Sequence, residues 1–275
     1  MLTRREMVLR AGALATFGGA STGRAARGAP ASALIDGPWR ETGAETGPEP
    51  AAWADLLSRR LRLGDDGIAR FDYAAARADL PALQATLELL EGTDPRRLSA
   101  PAQMAFWINL YNALTVKLVV EAWPVGSIRE VMGGLFNLGP WDENLVQVLG
   151  RPLSLDDIEH GILRPVFRDA RIHYGVNCAS IGCPNLAAEP YRADRLEAML
   201  EAGARAFVNH PRGALASEGR LTVSSIYAWF EEDFGGTDAG VIAHLARYAD
   251  APLAGNLAGR TRVDRHAYDW AVNAV

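Results

Sequence analysis

Met104-Ala-Phe-Trp-Ile-Asn-Leu-Tyr-Asn-Ala-Leu-Thr-Val-Lys-Leu-Val-Val-Glu-Ala-Trp123 is apolar nearly all round. A helix with no polar face lies inside a domain, so this stretch predicts a central buried helix, opened by Pro101 and ended by Pro124. Asn109 and Asn112 sit within it, three residues apart and therefore on one face. A buried amide without a partner costs about 1–3 kcal/mol, so both are expected to be hydrogen-bonded. Either they tie down neighbouring backbone, or one of them lines a site and supplies a donor to an oxyanion or an imidazole.

On the N-terminal side, residues 52–62 and 80–91 show helical apolar spacing, with a short edge strand expected between them at 67–73. On the C-terminal side, Leu145-Val-Gln-Val-Leu149, Gly150-Arg151 and Pro152-Leu-Ser154 predict a hairpin with a two-residue turn. Ser154-Leu-Asp-Asp157 resembles a capping box for a helix over 155–163, which carries Glu159 and His160. A helix over 194–208, a strand at 221–223 and helices over 226–234 and 239–248 follow. Helices and short strands without regular alternation predict an α+β fold: a single domain, helices packed on a small mixed or antiparallel sheet.

The chemistry concentrates in His173-Tyr-Gly-Val-Asn-Cys178-Ala-Ser-Ile-Gly-Cys183-Pro184, which holds the only two of the chain's cysteines and one of its five histidines. The apolar run Ile172 to Val176 predicts a buried strand, broken by Asn-Cys-Ala-Ser. A cysteine at the end of a buried strand with histidines nearby is a common mounting for a thiolate nucleophile. The same two cysteines could instead form a disulfide, though one closing so short a loop would add little stability through chain entropy.

The first 33 residues are read as a leader. Thr3-Arg4-Arg5-Glu6-Met7-Val8-Leu9 has the twin-arginine pattern, a weakly apolar stretch runs from Ala11 to Ala20, and Ala31-Ser32-Ala33 resembles a cleavage site. The expected destination is periplasmic or secreted, in a bacterial host. Residues 34–50, rich in Gly, Pro and Glu, are read as a flexible linker, and 51–275 as one domain. The chain carries 28 basic and 33 acidic residues; the leader takes five arginines and one glutamate, leaving 23 against 32. No basic patch remains, so nucleic acid is not an expected partner. No membrane span is expected in the mature chain and no cofactor is indicated. The expected partner is a small-molecule or peptide substrate.

Taken in order, Phe106-Trp-Ile-Asn-Leu-Tyr-Asn-Ala-Leu-Thr115, Trp123-Pro-Val-Gly-Ser-Ile128, Leu155-Asp-Asp-Ile-Glu-His160, Arg171-Ile-His173, Asn177-Cys-Ala-Ser180, Cys183-Pro184, Phe207-Val-Asn-His-Pro211 and Ser224 to Gly235 closely resemble the domain of unknown function 547 family. The best-matching core is 104–235, and Tyr268-Asp-Trp-Ala-Val-Asn273 resembles the family's closing motif. The His/Cys pattern of that family invites comparison with papain-like thiol hydrolases. In papain-like order the cysteine precedes the histidine; here His160 and His173 precede Cys178, so a papain-like fold would need permuted order.

A thiolate needs a nearby imidazole or a helix N-terminus to lower its pKa. His173 lies five residues before Cys178, on the opposite face if the strand is straight. His160 is therefore the preferred general base, with His173 second. Glu159, Asp156 and Asp157 could orient an imidazole, although the two aspartates also suit helix capping. Three readings follow. The first is a thiol hydrolase of amide or peptide bonds with Cys178 as nucleophile, a histidine base and Asn109 as a supporting donor. The second is a metal site built from His160, His173, Cys178 and Cys183. The third is a non-catalytic binding or scaffolding domain. His210, His244 and His266 are read as ordinary surface or packing residues.

Overall fold

The central helix spans Ala100–Ala122, and every residue from Ala102 to Val116 is buried. It needs no polar face because the helix Leu80–Glu91 and the helical segment Asp157–Leu163 pack against it. Trp107 is fully buried edge-on to Trp39, ring centroids 5.6 Å apart. Burial of one such large apolar side chain contributes about 1.5–3 kcal/mol. The computed structural model describes residues 30–132 and 139–275. Arg4, Arg5 and most of the leader lie outside the described residues.

The fold is α+β. β1 (Leu61–Leu63) and β2 (Ala69–Phe71) pair antiparallel, as do β3 (Val146–Val148) and β4 (Arg151–Leu153). β5 (Ala214–Ser217), β6 (Arg220–Ser224) and β7 (Arg265–Ala267) form a small mixed sheet, antiparallel then parallel. Two apolar clusters result. The larger surrounds the central helix; the smaller joins Tyr174, Phe207, Tyr227, Phe234 and Leu245 to the β5–β7 sheet. No helix among the described residues is long and apolar enough to cross a membrane.

Several local expectations change. The run Ile172 to Val176 is not a strand: Ile172–Gly175 forms one helical turn and only Val176 is extended. A short apolar run cannot by itself distinguish a buried strand from a buried helical turn. Here the helix Leu196–Val208 packs against that turn. The hairpin turn is Leu149-Gly150 rather than Gly150-Arg151; both turn residues have positive φ (54° and 72°), as a type I′ turn requires. The helix expected over 226–234 divides at Phe230 into Ile226–Trp229 and a tighter turn Glu231–Phe234.

The expected linker is not free. Gly43 N–H donates to the Leu98 carbonyl, Ser99 N–H donates to Glu45, and Trp39 enters the core. Ile35 donates to the carbonyl of Gly161, where a β-carbon would come within 2.8 Å of the Ile35 side chain. Two buried anchors, Trp39 and Leu98, outweigh the flexibility that the Gly/Pro composition suggests. Beyond β7, the C-terminal tail stitches the molecule together: Phe71 donates to Asn273, Asn273 to Ala179, and Val272 to Gly126.

Candidate active site

The loop that carries Cys178 is held from both ends. Asn112, on the central helix, donates to the Gly175 carbonyl (2.9 Å) and accepts from Asn177 N–H (2.8 Å). The Asn177 amide then donates to the Pro184 carbonyl (2.7 Å) and accepts from Ala179 N–H (2.9 Å). Ala179 sits at φ 60°, a left-handed position uncommon for a residue with a side chain. Ile181 and Gly182 donate to the tail carbonyls of Ala271 and Asp269. At Gly182 a β-carbon would meet Asp269 backbone at 2.7 Å, so the loop lies flush on the tail.

This arrangement sets Cys178 beside Cys183 as free thiols, sulfurs 3.2 Å apart. Cys178 N–H donates to the Cys183 sulfur at 3.1 Å. The Cys178 sulfur also lies 3.1 Å from both the Ser180 and Tyr268 hydroxyls, which are 2.7 Å from each other. Cys178 keeps part of its surface open, whereas Cys183 is buried. The hydrogen bond between the two thiols holds Cys178 down to about 7, with Ser180 and Tyr268 adding to it against the opposing effects of burial and the Glu159 charge. Burial, reinforced by the neighbouring Cys178, pushes Cys183 well above the ordinary thiol value. The chain after Cys178 runs as turns and loop until Leu196–Val208, so no helix starts directly after Cys178 to support the thiolate.

The histidines occupy a second cluster. The capping box forms as expected: Asp157 accepts from Ser154 N–H, and Ser154 Oγ accepts from Asp157 N–H. The next turns widen into a π-helical segment, Asp157–Leu163, in which Arg164 N–H reaches back to the Glu159 carbonyl. Such widening recurs at functional sites. It leaves Glu159, His160 and Arg164 all buried. His160 Nδ1 lies 3.2 Å from Arg164 Nη1, and its Nε2 lies 3.6 Å from Asp156. His173 Nε2 bonds Asp233 at 2.7 Å and stacks on Phe230, ring centroids 4.3 Å apart. Its Nδ1 faces Glu159 at 3.5 Å, an ionic contact too long for a strong hydrogen bond, and has no other partner. Arg164 completes the network with Glu232 and Asp233.

The charges in this cluster compensate one another. Burial would raise the Glu159 carboxyl, but the imidazoles of His160 and His173 and the Tyr111 hydroxyl hold it down to about 2. Burial would lower His173, but Asp233 and Glu159 raise it above its ordinary value. His160 is lowered, first by burial. Asp156 is pushed up to about 7 by burial and by the charge of Glu159.

The candidate residues thus divide into two groups. Cys178 and Cys183 come together, and Glu159, His160 and His173 come together, but neither histidine hydrogen-bonds to Cys178. The four residues considered as metal ligands fall in separate groups, and among the described residues no set of three or more His, Cys, Asp or Glu is arranged to hold a metal ion. Asn109 spends both ends of its amide on Tyr191 backbone, at 2.8 and 2.9 Å. His244 is a packing residue bonded to the Tyr174 hydroxyl, His210 faces the Asp66 carbonyl, and His266 is exposed on β7. Sequence reasoning misses Ser180, Tyr268, Arg164 and Asp233 as site residues. The one signal that could have found them is the set of family-like motifs, which contain Ser180, Asp233 and Tyr268.

Residues 95–208 match the family described as Protein of unknown function, DUF547. The match supports assignment of this segment to that domain family. The DUF547 segment contains the central helix, the π-helical turn and the cysteine loop. Tyr268 and Asp233, which complete the two clusters, come from the chain beyond it. No curated protein and no solved structure matches the chain.

Proposed function

We propose that this protein is an exported thiol hydrolase that acts on an amide or peptide bond with Cys178 as nucleophile. The observation that carries the reading is a partly exposed thiol among three donors, with its pKa drawn down to about 7. Near neutral pH about half of such a sulfur is thiolate, and that fraction attacks an acyl carbon without a base to deprotonate it first. The Cys178 sulfur would form the acyl bond as the carbon–nitrogen bond breaks. The leaving amine takes a proton from Tyr268, whose hydroxyl is in contact with both the sulfur and Ser180; water then attacks the acyl carbon, its proton returns to Tyr268 and the Cys178 sulfur leaves. Tyr268 here takes the proton-transfer role that the sequence gives to His160 or His173. The histidines keep a charged, rigid wall beside the site through Glu159, Arg164 and Asp233.

The test is reaction with p-nitrophenyl acetate. The expected result is acetylation at Cys178, seen by mass spectrometry, followed by steady turnover, with both lost in Cys178→Ser. Absence of acetyl-Cys178 in the wild type would remove the nucleophile. A stable adduct without turnover would leave a nucleophile that is not a hydrolase.

Export by the twin-arginine pathway, to a periplasmic or secreted location, is part of the proposal and rests on Arg4-Arg5 and the small-residue leader. Cleavage after Ala33 would remove the Pro30 carbonyl from Arg164 while keeping Ile35 against Gly161. Changing both arginines to lysine should leave an unprocessed precursor inside the cell; normal delivery of that variant would contradict the pathway.

A further inference from the structure

The second thiol forms no bond to the acyl group, yet it is in contact with the first and helps to hold down its pKa. We propose that Cys178 and Cys183 form a reversible dithiol–disulfide couple that reacts with disulfide-bonded thiol compounds and, when closed, silences Cys178. The inference rests on reading Cys178 as the reactive thiolate and adds a redox partner to that same site.

The geometry is ready for closure. The sulfurs are 3.2 Å apart, and a disulfide is about 2.05 Å long, so an approach of roughly 1 Å is needed. The loop is pinned through Asn112, Asn177 and the tail carbonyls, and none of these bonds uses a cysteine side chain. Side-chain rotation can therefore close the bond on an intact scaffold. The difference in exposure sets the order: Cys178 meets the incoming disulfide, and buried Cys183 resolves.

The Cys178 thiolate attacks one sulfur of RSSR, forming a mixed disulfide and expelling RS⁻. Cys183 then gives up its proton and attacks the Cys178 sulfur, expelling the second thiol. Two protein thiols are oxidised and one disulfide is reduced to two thiols. In the reverse direction, the Ser180 and Tyr268 hydroxyls stabilise Cys178 as the leaving thiolate. Export in the folded state would keep the pair reduced until it reaches an oxidising compartment.

The experiment equilibrates the purified protein in buffers of reduced and oxidised glutathione, quenches with an alkylating agent and reads masses. Wild type is expected to pass directly between dithiol and intramolecular disulfide, and Cys183→Ala to stop as a Cys178–glutathione adduct. In the oxidised wild type, iodoacetamide labelling of Cys178 should fall at least about tenfold and return with reductant. A wild type that accumulates the stable glutathione adduct, or stays a dithiol in oxidised glutathione, would overturn the couple. This readout needs no hydrolase activity. A disulfide that forms in a protein never acetylated at Cys178 would sink the hydrolase and keep the couple. Acetylation and turnover without disulfide formation would do the reverse.

Discussion

The thiol loop and the imidazole cluster are both buried polar sites, and they solve the problem of burial in opposite ways. Around His160 and His173, opposite charges meet: Glu159, Asp233 and Glu232 balance two imidazoles and Arg164. Around Cys178 the near neighbours are neutral hydroxyl and thiol groups, and the charge on Glu159 opposes ionisation. The first arrangement is closed, and its most deeply buried carboxylate, Glu159, moves away from neutrality. The second is partly open and its thiol moves towards neutrality, which is the condition for reactivity at physiological pH. Residues 229 and 230 join the two: Trp229 packs on Tyr268 (4.8 Å between ring centroids) and Phe230 stacks on His173.

If the imidazole cluster holds the fold together, its buried cation is the place to break it. Arg164→Met leaves the exposed Glu232 without its partner and Asp233 with His173 alone. Removing one partner of a fully buried pair typically costs about 3–5 kcal/mol; the exposure of Glu232 and the surviving His173 contact reduce this to about 3 kcal/mol. Urea denaturation should show a loss of that size; an unchanged midpoint would mean that the network adds no net stability. The thiol loop should be cheaper to disturb. Asn112→Leu leaves the Gly175 carbonyl and Asn177 N–H unpaired, at about 1–3 kcal/mol. That variant should also slow Cys178 alkylation, whereas Arg164→Met, where it remains folded, should not.

Asp156 gives the smallest effect and a pH signature. Its folded pKa of about 7 lies above the unfolded value of 3.8. The folded state therefore holds the proton more tightly, and ionisation costs stability progressively as pH rises from about 4 to 7. Asp156→Asn should be more stable than wild type at pH 8, by about 1 kcal/mol after allowing for its partial exposure. The advantage should vanish near pH 3.5. Equal melting temperatures of the two proteins at both pH values would show that the Asp156 carboxyl titrates normally.

The central helix, the hairpin, the capping box and the α+β class are legible in the sequence because each is a local pattern: apolar periodicity, a two-residue turn, a side chain reaching back three residues. Asn109 and Asn112 are legible as buried and bonded, and the structure gives both the backbone-tying role. The run Ile172 to Val176 is not, because five apolar residues suit either element. The partition of the site is also out of reach. Tyr268 meets Cys178 across 90 positions, and Asp233 meets His173 across 60. Contacts that distant follow from how the tail threads past the loop, which no spacing rule encodes. The π-helical widening at Asp157–Leu163, where Glu159 and His160 are buried beside Arg164, leaves no recognisable mark either.

Activation of Cys178 by its hydroxyl and thiol neighbours, and not by an imidazole, is the central claim. The direct measurement is the pH dependence of iodoacetamide labelling at Cys178, read by mass spectrometry for wild type, Tyr268→Phe, His160→Ala and His173→Ala, each first checked for folding by a thermal melt. The wild-type inflection should lie near the value of about 7 set by Cys183, Ser180 and Tyr268. Tyr268→Phe should move it upward, and the two histidine variants should leave it in place. A wild-type inflection at the ordinary thiol value, or one raised by His160→Ala and untouched by Tyr268→Phe, would contradict the claim.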